Sequence, residues 1–342
     1  MKEDYMLEVK NLSVSFHTYA GEVQCVRDVS FRVKRGECVA IVGESGCGKT
    51  VTVKSLLGLI RPPFGEVKYG SRILMSGQEV TAFSEKEWRT IRGNKMAMIF
   101  QDALAALNPT MRIGKQIEEV LLNHRNISKK EAGNLAVQML EKVGVPEAEK
   151  RMKQYPHEFS GGMRQRVMIA MMMANEPELL IADEPTTALD VTIQGQIMDL
   201  MKNLQKENQM SLILVTHDLG VVAGMAQRVI VMYAGNIMEQ GSVRDIFYRA
   251  RHPYTRALLN SQPSLMEDKE KMMQAIEGTP PDLLHPPAGC AFCARCSSVM
   301  EICRKQKPVL QEFEAEHFAA CWLYDEKGKA GQAERGEAKK DG

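Results

Sequence analysis

The residues with the clearest chemical potential are Gly43-Glu44-Ser45-Gly46-Cys47-Gly48-Lys49-Thr50. They fit the pattern G-x-x-x-x-G-K-[ST], a loop that binds phosphate. Its glycines let backbone N–H groups turn inward on phosphate oxygens. Lys49 would reach the β- and γ-phosphates of a nucleotide, and the Thr50 hydroxyl would ligate Mg²⁺. A second set of candidates lies far along the chain. Leu179-Leu180-Ile181-Ala182 is followed by Asp183 and Glu184, which places two carboxylates at the end of an apolar strand. Asp183 would hold Mg²⁺, and Glu184 would orient and polarise an attacking water, a base role worth about 10²–10⁴-fold in rate. Gln101 follows the apolar run Met98-Ile99-Phe100, and His217 follows Leu212-Ile213-Leu214-Val215-Thr216. Both therefore also sit at strand ends. Ser160-Gly161-Gly162 opens an apolar helix, Val167 to Ala174, and is a second candidate anion site.

These residues need an α/β scaffold. Cys38-Val39-Ala40-Ile41-Val42 reads as a buried strand leading into the glycine loop, and Val51 to Ile60 has helix-compatible apolar spacing. Residues 5–42 alternate in the manner of strands, as in Leu7-Glu8-Val9 and Val29-Ser30-Phe31-Arg32-Val33, with Lys34-Arg35-Gly36-Glu37 as a turn. Phe16 and Tyr19 fall in a polar stretch that reads as a connection, where either aromatic could stack on adenine. A parallel crossover needs about a dozen residues. The much longer interval between Lys49 and Asp183 therefore implies an inserted subdomain. Periodicity over 114–153 makes that insert helical. Met168, Met171, Met172 and Met173 read as core filling. Arg228 to Met232 and Asn236 to Glu239 form a strand pair around Ala234-Gly235.

Composition narrows the classes. The chain has 342 residues, with 44 Lys and Arg against 43 Asp and Glu, a net charge of +1. No basic excess exists to neutralise a nucleic-acid backbone, so nucleic acid is not an expected partner. No apolar run is long enough to span a bilayer. Met1-Lys2-Glu3-Asp4-Tyr5 is acidic and has no apolar core, so no signal peptide is expected.

Together these motifs, in order over about residues 8–245, resemble the ATP-binding subunits of ABC transporters. Gly43 to Thr50 match the Walker A loop, Gln101 the Q-loop, and Ser160-Gly161-Gly162-Met163-Arg164-Gln165 the signature. Asp183 and Glu184 match Walker B with its catalytic glutamate, Ala188-Leu189-Asp190 the D-loop, and His217 the switch histidine. The resemblance implies a P-loop NTPase cassette with a RecA-like core, an antiparallel β subdomain and an inserted helical subdomain at about 104–165, all within 5–250. It implies that Phe16, with Tyr19 the alternative, stacks on adenine, and that Thr50, Gln101 and Asp183 hold Mg²⁺. It also implies that two cassettes pair head to tail, so that Ser160, Gly161, Gly162 and Asp190 serve nucleotide held by a second, homologous subunit. Two integral-membrane permeases, touched through Asp102 to Gln116, and indirectly an extracytoplasmic solute-binding protein, complete the assembly. The subunit itself would be peripheral, on the cytoplasmic face of the membrane.

Gln101-Asp102-Ala103-Leu104-Ala105-Ala106-Leu107-Asn108-Pro109, Tyr155-Pro156-His157-Glu158, His252-Pro253-Tyr254-Thr255 and Gly278-Thr279-Pro280-Pro281 resemble the peptide and nickel importer group. Ala103 departs from that group's proline. The cargo implied is di- or oligopeptide, with nickel or another small solute as the alternative. A soluble ABC ATPase of translation or DNA repair is remote, since one loop and one signature occur. Five of the chain's eight cysteines crowd into Cys290, Cys293, Cys296, Cys303 and Cys321. Spacing alone allows zinc or an iron–sulfur cluster. The resemblance, which extends over 251–324, picks Cys290, Cys296, Cys303 and Cys321 as ligands of a [4Fe–4S] cluster. Residues 325–342 are charged and nearly free of apolar side chains, and a disordered tail is expected there.

Overall fold

A computed structural model describes residues 4–187, 189–261 and 276–325. The tail expected at 325–342 lies, but for Asp325, outside the described residues, as does Ala188. The chain forms two compact units. One comprises Met1–Leu7, Arg32–Cys38 and Leu74–Thr216; the other comprises Glu8–Phe31, Val39–Ile73 and His217–Gly342. Among the described residues no helix is long and apolar enough to cross a membrane.

The unit that carries the phosphate loop is built on a sheet. Cys38–Val42 is buried at every position, as its unbroken apolar sequence requires of a central strand. Val39–Val42 run parallel to Arg228–Val231. Arg228–Tyr233 in turn pairs antiparallel with Asn236–Ser242 around Ala234 and Gly235. On its far edge Asn236–Ser242 takes up His317–Ala319, which pairs with Gln311–Glu314. The extension expected at 251–324 therefore continues the sheet of the phosphate-loop unit. It also shares that unit's core. Tyr233 of the sheet lies 4.6 Å from Tyr254 and 5.3 Å from Phe292 between ring centroids, and Phe292 meets Tyr233 edge-on.

Two expectations change here. Phe16 belongs to a strand, Tyr5–Thr18, and not to a connection. The strand continues because Val14–Phe16 find partners for their backbone in Gly65–Val67. The helix after the loop spans Lys49–Leu56 and stops short of Ile60. The chain turns at Gly58, which adopts φ 59°.

The other unit holds three parallel strands in register, Met96–Ile99, Leu179–Asp183 and Ser211–Val215. Its helices Ile113–His124, Lys129–Lys142 and Gly161–Met173 pack on one another, which gives the expected insert its helical character. Met168, Met171 and Met173 are buried in that packing, and Met172 is half-buried. The helix begins at Gly161, so the two glycines form its first turn and not a loop before it.

One buried charge fastens the extension to the sheet. Glu239 and His317 are both fully buried, and His317 Nε2 lies 2.8 Å from Glu239 Oε1. The Glu239 carboxylate also accepts the backbone N–H groups of Arg251 (2.7 Å) and His252 (2.8 Å). Removing it leaves three buried donors without an acceptor. Glu239→Ala should cost about 3–5 kcal/mol in denaturant unfolding of the full chain. A loss below about 1 kcal/mol, the range of a solvated pair, would show that the site is not a buried anchor.

Candidate functional site

In the phosphate-loop unit, residues 43–48 leave the strand end at Val42 and enter the helix through Gly48, whose φ of 100° needs a glycine. Contacts add to this demand. A β-carbon at Gly43 would lie 2.1 Å from the Met232 carbonyl oxygen, and one at Gly48 would lie 2.4 Å from that of Cys25. The loop is thus pressed against two strands. No side chain caps the helix, so its first N–H groups keep their capacity for a ligand. Lys49 is 5% exposed, and its Nζ donates to the carbonyls of Gly43 (2.8 Å) and Glu44 (3.0 Å). The ammonium lies across the loop it would serve. Burial raises the pKa of Cys47, which keeps a thiol, not a thiolate, within the loop.

Glu44 ties the loop to the extension. Arg295 donates two hydrogen bonds to its carboxylate, at 2.6 and 3.0 Å. The Glu44 N–H donates to the buried Tyr254 hydroxyl at 2.9 Å. Arg295 also donates to Tyr233 Oη and to the carbonyls of Ile276 and Glu277. Its pKa is raised, first by the Glu44 carboxylate. Pro280, Pro281 and Leu283 line a cavity of about 90 Å³ together with Ser45, Gly46 and Cys47. None of these contacts was expected from sequence. The only signal was that Arg295 stands among the clustered cysteines.

Of the two aromatics proposed for adenine, Phe16 is half-buried with its ring against Gly65, and Tyr19 is fully exposed. His217 is exposed directly after a buried strand. Asp218 then caps Leu219–Met225 by accepting the N–H groups of Gly220 and Val221.

In the other unit Asp183 ends its strand and is 2% exposed. Glu184 adopts φ 47°, a left-handed conformation unusual outside glycine and found at strained functional positions. Its N–H donates to the Val215 carbonyl, and its Oε2 accepts hydrogen bonds from Gln101 Nε2 (3.2 Å) and Thr187 Oγ1 (2.9 Å). Gln101 and Glu184 are thus brought together as their strand-end positions suggested. Thr187 was missed, because a threonine after Pro185-Thr186 carries no pattern of its own.

Two helix starts also meet. Ser160 Oγ accepts the Met163 N–H and caps Gly161–Met173, and Asp190 Oδ1 accepts the Ile193 N–H and caps Val191–Asn208. A β-carbon on Gly162 would lie 2.8 Å from Ile193 Cγ2, and one on Gly161 would lie 3.7 Å from Leu189 Cδ2. Gly162, which lacks a β-carbon, lets the two starts approach this closely, whereas a β-carbon at Gly161 would meet only ordinary contact.

Cys290, Cys296, Cys303 and Cys321 lie within electrostatic reach of one another, whereas Cys293 acts on Cys296. Burial pushes the Cys290 thiol up to about 12 and the Cys321 thiol up to about 11. Among the described residues, no three His, Cys, Asp or Glu side chains are drawn close enough to hold a metal ion.

Comparison with known proteins adds the following. Residues 26–187 match the family described as ABC transporter, and residues 238–303 match "Oligopeptide/dipeptide transporter, C-terminal region". The chain is 55% identical over 93% of its length, and 88% of the relative's, to the oligopeptide transport ATP-binding protein OppD of Bacillus subtilis. It is 52% identical to the dipeptide transport ATP-binding protein DppD of the same organism, over 95% of this chain and 96% of that one. It is 50% identical to Escherichia coli OppD over 93% of each chain. A solved dimeric, post-hydrolysis ATP-binding cassette, MJ0796 bound to ADP and Pi, superposes with a TM-score of 0.63 at 27% identity. That superposition covers 70% of this chain and 99% of that one.

The Glu44–Arg295 pair yields a test. Arg295→Ala should destabilise the full chain by about 1.5–3 kcal/mol, the range for hydrogen bonds to a charged group. Arg295→Lys should recover less than half of the loss, because an ammonium lacks the two-pronged geometry. A lysine variant as stable as the parent in denaturant unfolding would show that the fork is immaterial.

Proposed function

We propose, from the premise that this chain belongs to the ABC transporter ATP-binding proteins of the oligopeptide and dipeptide group, a mechanism for an importer's ATPase. The protein is the ATP-binding subunit of a peptide ABC importer and couples ATP hydrolysis to transport. The observation that best supports the hydrolytic reading is the seat of Glu184. Its carboxylate is steered by Gln101 and Thr187 at the mouth of a parallel strand. A base held in one orientation can take a proton from an attacking water.

The other roles are those that membership of this family implies for each position. Lys49 and backbone N–H groups of the loop from Gly43 to Thr50, which runs through Glu44, Ser45, Gly46, Cys47 and Gly48, grip phosphate oxygens, while the Glu44 N–H stays on the Tyr254 hydroxyl. Thr50 on the phosphate-loop unit, and Asp183 and Gln101 on the other, each carry an oxygen suited to Mg²⁺, which when bound would neutralise charge developing on the phosphates. His217 contacts the γ-phosphate. Phe16 is the adenine partner, since Tyr19 has no packing to hold its ring in place. Ser160, Gly161, Gly162 and Asp190 act on nucleotide bound by a second cassette; the similar cassette MJ0796 is itself dimeric. We assign ATPase function to 5–250 and an importer-specific role to 251–324. The partners are two permeases, a second homologous ATP-binding subunit and, indirectly, a solute-binding protein outside the membrane. The subunit is peripheral, on the cytoplasmic face. The match at residues 238–303 favours peptide over nickel as cargo.

Glu184→Gln should lower ATP turnover about 10²–10⁴-fold while ATP binding persists and the closed dimer accumulates. Size-exclusion with ATP reads the dimer, and phosphate release reads turnover. Undiminished turnover would remove Glu184 from its role.

We also assign Cys290, Cys296, Cys303 and Cys321 to a [4Fe–4S] cluster. Four thiols gather in a segment packed on the Tyr233–Tyr254–Phe292 core. The full chain purified without oxygen should be brown, with broad absorption near about 400 nm. Cys303→Ala should lose the colour and Cys293→Ala should keep it. A colourless protein with stoichiometric zinc overturns the assignment.

A further inference from the structure

Every polar group of Glu44 is engaged. Its N–H donates to Tyr254 Oη at 2.9 Å, and its carboxylate accepts Arg295 Nη1 and Nη2 at 2.6 and 3.0 Å. Its carbonyl faces the loop, where it accepts Lys49 Nζ at 3.0 Å and the Cys47 N–H at 3.3 Å. Glu44 thus stands between two residues of the extension and the lysine that serves phosphate.

Peptide geometry carries the connection. The Glu44 N–H and the Gly43 carbonyl belong to one trans peptide group, so they point from opposite edges of a single plane. A bond from Tyr254 on one edge fixes where the carbonyl on the other edge is aimed, and that carbonyl accepts Lys49 Nζ at 2.8 Å. The second carbonyl, that of Glu44 itself, is held through the Arg295 fork, which limits rotation about the bonds of Glu44. Both supports are firm. Tyr254 is fully buried, with the rings of Tyr233 and Phe292 at 4.6 and 5.2 Å. The Arg295 side chain is 5% exposed and also donates to Tyr233 Oη and to the carbonyls of Ile276 and Glu277.

An ammonium has three donors. Two of those on Lys49 go to these carbonyls, and the third meets the Cys47 sulfur, a weak acceptor, at 3.9 Å. A phosphate oxygen can take that third donor from the sulfur without disturbing the other two. The charge is then in place before a nucleotide arrives. A group ordered in advance adds affinity, because the entropy of ordering it is not lost on binding.

We propose that Tyr254 and Arg295 are positioning residues of the nucleotide site, which aim the Gly43 and Glu44 carbonyls at Lys49 and thereby set the loop's affinity for the phosphates of ATP. The inference rests on the ATPase reading of the loop. It adds two residues outside the cassette's motifs and gives the extension a part in nucleotide binding beside its importer-specific role.

The full chain is titrated calorimetrically with MgATP. Tyr254→Phe keeps the ring and removes the acceptor, and Arg295→Lys keeps the charge and removes the fork. Each should raise the Kd about 5-fold, the equivalent of one hydrogen bond, while the binding stoichiometry stays at that of the parent. Stoichiometry counts folded molecules, so a merely structural role would lower it and leave the Kd unmoved. In a Lys49→Ala background, Tyr254→Phe should add less than about 2-fold, because the group it positions is gone. The proposal falls if both variants bind MgATP within about 2-fold of the parent, if the loss appears in stoichiometry alone, or if the full loss persists without Lys49. Variants that bind like the parent leave the ATPase reading standing, whereas a parent that binds no MgATP removes that reading itself.

Discussion

A phosphate loop must aim successive backbone N–H groups at one point, and every neighbouring atom has to allow that curl. Gly43 and Gly48 permit it only because they lack a β-carbon, since the carbonyls of Met232 and Cys25 stand where one would be. The buried strand Cys38–Val42 fixes where the curl starts, and Lys49–Leu56 fixes where it ends. Lys49, folded onto the carbonyls of Gly43 and Glu44, supplies a positive charge that an incoming phosphate can recruit without a long rearrangement.

That constraint explains why the extension belongs with this loop. A backbone held in an open curl needs bracing from outside, because it closes few hydrogen bonds within itself. Tyr254 braces Glu44 through its hydroxyl, and Arg295 does so through a two-pronged ion pair. Both braces rest on the aromatic cluster of Tyr233, Tyr254 and Phe292, and the buried Glu239–His317 pair seats the same segment on the sheet edge. The cysteine segment flanks Arg295 on both sides.

The second unit solves a different problem, that of aiming one carboxylate. Glu184 leaves its strand in a left-handed conformation, which turns the side chain toward donors from Gln101 and Thr187. Ser160 and Asp190 each cap a helix with an oxygen, and the glycine at 162 lets these two starts lie against each other. Small residues and short polar caps are what a surface needs if another molecule's phosphates are to come close.

Residue type and spacing were enough to read the strand–loop–helix around Lys49, the acid pair after Leu179–Ala182, the glutamine and histidine at strand ends, and a helical insert. Each of these is a local pattern: an apolar run, a glycine interval, a periodic face. The strand around Phe16 was misread because its polar flank hid a backbone partner at Gly65–Val67. Thr187 and the Glu44–Arg295 brace were beyond such reading. Arg295 and Glu44 are 251 residues apart, and nothing in the neighbourhood of either signals the other. The chain's order therefore determined which groups can do phosphate chemistry. The packing of distant segments decided which side chains hold those groups in place, because a contact between two side chains depends on where the fold carries them and leaves no periodic mark along the chain.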